Sequence, residues 1–366
     1  MIDRRHLLLG TGAAFMTTRA GKASASPTAD DFARRLAAAE KSGAVSGLDA
    51  VLVAKGDTTL FEHYGKGQAQ DISRNIFENN EVTFGPEVLH DLRSVSKSMV
   101  ALAYGIALSE GKVPPPEAKL YDQFPEYAEL ASQPGREKLT IHHVLSMTLG
   151  LQWDELTVPY GDDPRNSEIA MEMAPDRFRY ILGLPIVGEP GAKWIYCGAA
   201  TAILGRLISK GTGEKLPAYA RRVLFDPMGF GPSEWAISRD GEPRAASGLR
   251  LLPRDLLKVG QLALAGGIWQ GKQIVPAAWV KRITTPTVTI EGARSYGYQW
   301  YVYDSMIDGR RQHWFSGIGW GGQKLYVFPE SEVVVAMNCG NYSKPGQEQN
   351  RVNLAVLNEV VAPGLV

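Results

Sequence analysis

The stretch Leu92-Arg93-Ser94-Val95-Ser96-Lys97-Ser98-Met99-Val100-Ala101-Leu102-Ala103-Tyr104-Gly105-Ile106-Ala107-Leu108 decides how this chain is read. From Met99 to Leu108 it is apolar all round, the pattern of a helix buried on every side. Placed at the N-terminus of that helix, Ser94 and Lys97 lie one turn apart on one face, with Cβ atoms about 5–6 Å apart. Serine attack on a carbonyl needs a hydroxyl, a base within hydrogen-bond reach and donors for the developing oxyanion, and this pair supplies the first two. A lysine drawn into an apolar core loses solvation, and the positive end of the helix dipole disfavours its charge further; both effects suit it to accept a proton. The tetrapeptide S-x-x-K is a weak signal alone. Ser109-Glu110-Gly111-Lys112 matches it too, but Gly111 reads as a helix C-cap, which takes Lys112 off the face that carries Ser109. The bland reading of Ser94 is an ordinary N-cap serine.

Outward from this segment, residues of about 94–236 are mostly helical: Ser94–Leu108, Thr140–Met147, Arg177–Leu182, Ala199–Lys210 and Leu216–Leu224 carry helical periodicity between Pro/Gly-rich connectors. The flanks differ. Asp30–Glu40 is an amphipathic helix with Phe32, Leu36 and Ala39 on one side, and Leu48–Ala54 and Thr58–Tyr64 are β-rich runs joined by Lys55-Gly56-Asp57. At the other end Tyr296–Asp304, Gln323–Phe328 and Glu332–Asn338 are strand-like, and Asn350–Val361 reads as a closing helix. The expected architecture is therefore α/β (α+β): an antiparallel sheet flanked by N- and C-terminal helices, built from 26–93 and 237–366, with a mostly helical second domain at 94–236 and the site between them.

The chain of 366 residues is long enough for two domains or one large one, and 44% hydrophobic with 21% charged residues is an ordinary globular composition. Thirty-nine basic residues balance 39 acidic ones, so no global field draws in nucleic acid or an anionic membrane. Residues 1–25 run from Asp3-Arg4-Arg5 through an apolar middle to Ala23-Ser24-Ala25, the order of an export signal. The paired arginines before a leucine run resemble a twin-arginine signal, which places the mature protein in the periplasm or outside the cell with no stable membrane anchor. Its loss would remove four positive and one negative charge and leave −3.

Several motifs fail on context. Gly317-Ile318-Gly319-Trp320-Gly321-Gly322 fits G-x-G-x-x-G but leads into a strand-like run, whereas a dinucleotide fingerprint opens a helix. Gly266–Lys272 mimics a P-loop, yet Gln273 stands where a Ser or Thr would hold magnesium. G-x-S-x-G and H-E-x-x-H are absent, and His142 and His143 point to different helix faces, so no metal or cofactor is implied. Two cysteines, Cys197 and Cys339, allow one bridge at most.

Five segments in order then resemble the superfamily of serine β-lactamases, penicillin-binding proteins and esterases, in its class C-like branch. They are Leu92–Ser98, Leu139–Leu151, Pro190–Tyr196, Gly248–Asp255 and Gly319–Gln323. Trp153-Asp154-Glu155 and the Gly-Gly-Gln ending are most similar to the subgroup of 6-aminohexanoate-dimer hydrolases and related esterases. The resemblance implies Ser94 as nucleophile, Lys97 as its base and Tyr196 as the tyrosine that relays a proton to the leaving group. It implies an oxyanion hole from the backbone N–H groups of Ser94 and Trp320, with Gly317-Ile318-Gly319 on the strand edging the site and Tyr160 bordering the pocket beside Trp153. Two departures count against penicillin as substrate. The second motif reads Tyr196-Cys197-Gly198 where Y-x-N or Y-x-S is usual, and Gly317 replaces the cation that would grip a β-lactam carboxylate. His313, a candidate substitute cation, reads as a loop histidine, and Cys197 as a small buried hydrophobe. The expected activity is hydrolysis of an ester or amide of a small molecule through an acyl-enzyme, with β-lactamase or D-alanyl-D-alanine carboxypeptidase as the rival enzyme and a silent ligand-binding relative as the rival of another class.

Overall fold

The computed structural model describes residues 27–70, 80–161, 163–307, 310–363 and 365. The segment read as an export signal lies outside them. Strands from the two ends of the chain share one sheet, whose central members are buried on both faces. In Leu48–Lys55, Val51 and Val53 belong to one hydrophobic cluster and Ala50, Leu52 and Ala54 to another, the two-residue alternation of a strand with both sides covered. Across the eight-stranded sheet the order is Val288–Glu291, Arg294–Tyr296, Tyr301–Ile307, Arg310–Gly319, Gln323–Phe328, Val333–Cys339, Leu48–Lys55 and Thr58–Tyr64, every pair antiparallel. Val51 stands opposite Met337 on one side and His63 on the other, so the N-terminal hairpin is welded to the last strand.

One face is covered by the helix Ala29–Ser42 and by Gly346–Ala355, which continues as a π-helical turn over Val356–Val361; Phe32, Leu36, Val356 and Val360 fill that layer. The opposite face carries the helix Pro253–Leu264 through Leu256 and Val259. Contact there is close because residue 260 has no side chain: a Cβ on Gly260 would lie 2.3 Å from Val334 Cγ1. Beyond this layer stands the helical part, in which Ser96–Ser109 is buried along almost its whole length and packs along Gly198–Thr212. Among the described residues no helix is long and apolar enough to cross a membrane.

The architecture is the mixed α/β one expected from the sequence, with local corrections. The run read as one strand from Tyr296 to Asp304 breaks into Arg294–Tyr296 and Tyr301–Ile307 around a turn with Gln299 at φ 63°. Tertiary bonds hold that turn: Gln299 Oε1 accepts from Thr201 Oγ1 at 2.7 Å, its Nε2 donates to the Leu145 carbonyl at 3.0 Å, and its own carbonyl accepts from Ser98 Oγ at 3.0 Å. The closing helix begins at Gly346, directly after Pro345, and not at Asn350. His313 is not in a loop. It lies within the strand Arg310–Gly319, with Nδ1 3.2 Å from Asp304 Oδ1 and Nε2 3.1 Å from the Thr284 carbonyl, because strand pairing with Tyr301–Ile307 overrides the polar character of its N-terminal half.

Candidate active site

Ser94 lies in a 3-10 turn, Arg93–Val95, that tightens the chain before the α-helix Ser96–Ser109 begins. The sequence reading started the helix at Ser94 itself. Arg93 takes φ 45°, a conformation few side-chain-bearing residues adopt without support. Its support is dense: the guanidinium pairs with Asp91 at 2.5 Å, donates to Gln70 Oε1 at 2.6 Å and stands 5.1 Å from the Tyr342 ring centre, and Asp91 Oδ1 accepts the Arg93 backbone N–H at 2.9 Å. The residue before the candidate nucleophile is therefore held by side chains from three other segments.

Lys97, 2% exposed, reaches back along the helix face so that Nζ is 3.0 Å from Ser94 Oγ and 2.9 Å from the Ala246 carbonyl. The same Nζ is 4.8 Å from the centre of the Tyr196 ring. Tyr196 is buried just before the helix Gly198–Thr212, and its hydroxyl shares a hydrogen bond with Ser94. Burial and the nearby Glu155 charge push that hydroxyl well above the ordinary tyrosine range, the Ser94 contact only partly opposing them. Ser94, Lys97 and Tyr196, separated by up to 102 positions, thus meet around one oxygen.

The glycine-rich strand end closes the opposite side. A Cβ on Gly319 would lie 2.4 Å from the Leu92 carbonyl oxygen and 3.2 Å from Arg93 Cβ, and one on Gly317 would lie 3.0 Å from Val95 Cγ1. The strand can lie against the nucleophile's turn because both positions lack side chains. Ile318 between them is half-buried, and Trp320 begins the hairpin whose Gly321 and Gly322 take φ 85° and 102°. The G-x-G-x-x-G match is thus a β-hairpin. The Trp320 indole donates to the Tyr342 carbonyl at 2.9 Å, and its ring meets Tyr160 edge-on with centres 6.0 Å apart.

Sequence reasoning missed the buried carboxyl groups. Glu155 Oε2 accepts from Trp153 Nε1 at 2.9 Å and from the Gly198 backbone N–H at 2.7 Å, and Oε1 accepts from Tyr160 Oη at 2.8 Å. Glu168, also buried, bonds to it. Burial alone would raise Glu155, but the Glu168 hydrogen bond, the Lys97 charge, Tyr160 and Gly198 hold it below the ordinary carboxylate range. Burial and the Glu155 charge push Glu168 well above that range, so Glu168 keeps the proton the pair shares. Glu155 stood in the segment already singled out around Trp153; Glu168, in the short helix Ser167–Met173, gave no signal. Tyr296 and Tyr301 were missed too: with Trp194 they form an aromatic wall beside Tyr196, with Trp194 to Tyr196 6.0 Å and Tyr296 to Tyr301 5.0 Å between centres.

The remaining candidates fall outside this group. Cys197 and Cys339 are both free and buried, and burial raises each thiol. His142 Nδ1 meets Tyr298 Oη at 2.6 Å while His143 caps its own helix at Thr140, and burial lowers both imidazoles. Among the described residues no group of three or more His, Cys, Asp or Glu could hold a metal ion.

The model of the beta-lactamase family matches residues 31–358, nearly the whole chain. The chain belongs to the beta-lactamase family. It is 24% identical over 324 residues to a 6-aminohexanoate-dimer hydrolase of Paenarthrobacter ureafaciens, covering 84% of this chain and 76% of that protein. Among solved structures, one described as a 6-aminohexanoate-dimer hydrolase of Bacillus anthracis superposes with a TM-score of 0.68 at 19% identity, over 92% of this chain and 87% of that one. EstCE1, a hydrolase with promiscuous acyltransferase activity, gives 0.67 at 17% identity, over 88% of this chain and 99% of its own. At those identities the two structures share the fold.

Proposed function

We propose that the protein is a serine hydrolase that cleaves an ester or amide bond of a small molecule through an acyl-enzyme. The observation that carries this is Lys97 Nζ at 3.0 Å from Ser94 Oγ with the Tyr196 hydroxyl on the same oxygen. Ser94 Oγ attacks the carbonyl carbon while the Lys97 amine takes its proton. The C–O or C–N bond of the substrate breaks as Tyr196 gives its proton to the departing oxygen or nitrogen and recovers one from Lys97. Water, deprotonated by the same pair, then attacks the acyl carbon and releases the acid. The backbone N–H groups of Ser94 and Trp320 receive the oxyanion, and Tyr160, Ile318 and Gly317 border the acyl site. The relative named a 6-aminohexanoate-dimer hydrolase supports the choice of a linear substrate of that kind.

The rival within enzymes, β-lactamase or D-alanyl-D-alanine carboxypeptidase, is disfavoured by Gly317, where a cationic side chain would also press on Val95 and Ser98. Steady-state hydrolysis of short-chain p-nitrophenyl esters by the protein from Ser26 onward, beside Ser94→Ala, tests the proposal. Sustained turnover lost in the variant is expected, together with a transient acyl adduct on Ser94 by intact mass. Turnover indifferent to Ser94 would remove the acyl-enzyme. A plateau after one equivalent would favour the silent relative, and a stable penicillin adduct the β-lactam-reactive rival.

A further inference from the structure

The tyrosine motif here ends in a residue without a side chain, and the space this leaves is occupied. A Cβ on Gly198 would lie 3.1 Å from Glu168 Oε2 and 3.2 Å from Glu155 Oε2, so the two carboxyl groups converge where a third-residue side chain would start. Glu155 comes from the Trp153 connector and Glu168 from the helix Ser167–Met173, both distant in sequence from Tyr196. What a polar residue at 198 would do from within the motif is done here from outside it.

Glu155 ties three segments of the site together. Through Gly198 N–H it holds the start of the helix that follows Tyr196; through Tyr160 Oη it holds the ring that meets Trp320; through Trp153 Nε1 it fixes its own connector. The titratable groups that face Lys97 are Ser94, Tyr196, Glu155, Glu168, Cys197 and Tyr301, and of these Glu155 is the one buried as an anion. When Lys97 takes the serine proton it becomes a buried ammonium, a species that needs a nearby opposite charge.

We propose that Glu155 is a positioning residue for the reaction, its carboxylate taking over the place left by the missing side chain at Gly198, clamping the Tyr196 and Trp320 sides of the site together and balancing the charge that Lys97 acquires. Glu168 is its neutral partner, donating one hydrogen bond. The inference rests on the serine-hydrolase reading of the same site.

Glu155→Gln and Glu168→Gln separate this role from simple packing. A buried anion favours the protonated form of the groups around it, and its removal takes that field away. Glu155→Gln is therefore expected to move the rising limb of kcat/KM down by about one pH unit or more, with kcat about tenfold or more lower and KM little changed. Glu168→Gln is isosteric with a protonated carboxyl that donates to Glu155, and it is expected to keep the limb where the wild type has it. If both variants move the limb equally, or neither does while Ser94→Ala is inactive, the assignment is overturned though the serine mechanism stands. If Ser94→Ala retains full activity, the reading beneath it fails instead. Should Glu155→Gln not fold, Gly198→Ala serves, because its methyl displaces both carboxyl groups by a few tenths of an ångström with no change of charge. A kcat about tenfold lower with its melting temperature kept supports the assignment; unchanged kcat overturns it.

Discussion

Gly319→Ala is the sharpest test of how the site is assembled. Its backbone is in an ordinary region, so alanine is not refused on conformational grounds; the obstacle is steric. The added methyl would lie 2.4 Å from the Leu92 carbonyl oxygen, about 1 Å inside the 3.4 Å at which ordinary contact begins, and 3.2 Å from Arg93 Cβ. Neither neighbour can step aside. The Leu92 oxygen is backbone, itself accepting from the Val95 N–H at 3.1 Å, and Arg93 is pinned by Asp91, Gln70 and Tyr342. The strand must therefore retreat from the nucleophile's turn by about 1 Å, carrying Trp320 with it, and a misplacement of that size costs about a hundredfold in rate. Strain from overpacking is about 1–3 kcal/mol, which for a chain of this size lowers the melting temperature by about 1–4 °C. Two readouts check this: kcat/KM on a p-nitrophenyl ester and the thermal midpoint. Gly183→Ala is the control, since a Cβ there meets nothing within 4 Å. A Gly319→Ala enzyme within about threefold of wild type in kcat/KM would refute the claim that this strand is seated tightly against Ser94.

The buried Lys324, held down to about 8 chiefly by desolvation, gives a pH-dependent stability prediction. Its folded value lies below the unfolded one near 10.5, so charging it costs stability below about pH 8, and that cost fades as pH rises from about 8 to 10.5. Lys324→Met is expected to stabilise the protein by up to about 3 kcal/mol at pH 7, with the gain shrinking across that window in chemical-denaturation curves. A gain that is flat with pH would mean packing, not charge, sets the difference. If residues 1–25 act as the twin-arginine signal they resemble, Arg4→Lys with Arg5→Lys is expected to leave the protein in the cytoplasm by cell fractionation; unchanged export would dispose of the twin-arginine reading.

Much of this was legible because the fold is written in periodicities that local sequence reports. The all-apolar helix after Lys97 and the alternating strands at both ends lead directly to a buried lysine and a shared sheet. Ser94 and Lys97 were legible because one helical turn fixes their distance. Tyr196 was not legible from spacing, only from resemblance, because the contact that makes it chemical spans 102 positions. The strand Arg310–Gly319 hid behind Arg310-Arg311-Gln312-His313, polar residues that strand pairing tolerates; the helix Pro253–Leu264 had its signal in the proline at its first position. Glu168 was invisible because nothing in a surface-like helix reports that it points at another acid.

The two departures from the usual motifs become one change when read together. At 317 the motif loses a cation, and at 198 it loses an amide, while an ionised Glu155 and a protonated Glu168 stand beside the base. A site with a cation at 317 could match a substrate carboxylate. Here the charge that Lys97 acquires is matched from within by Glu155, so the pair offers little net positive charge to hold an anion. On the proposed mechanism, electrostatics thus do not favour a substrate carboxylate beside the base. This agrees with the uncharged ester or amide substrate proposed above.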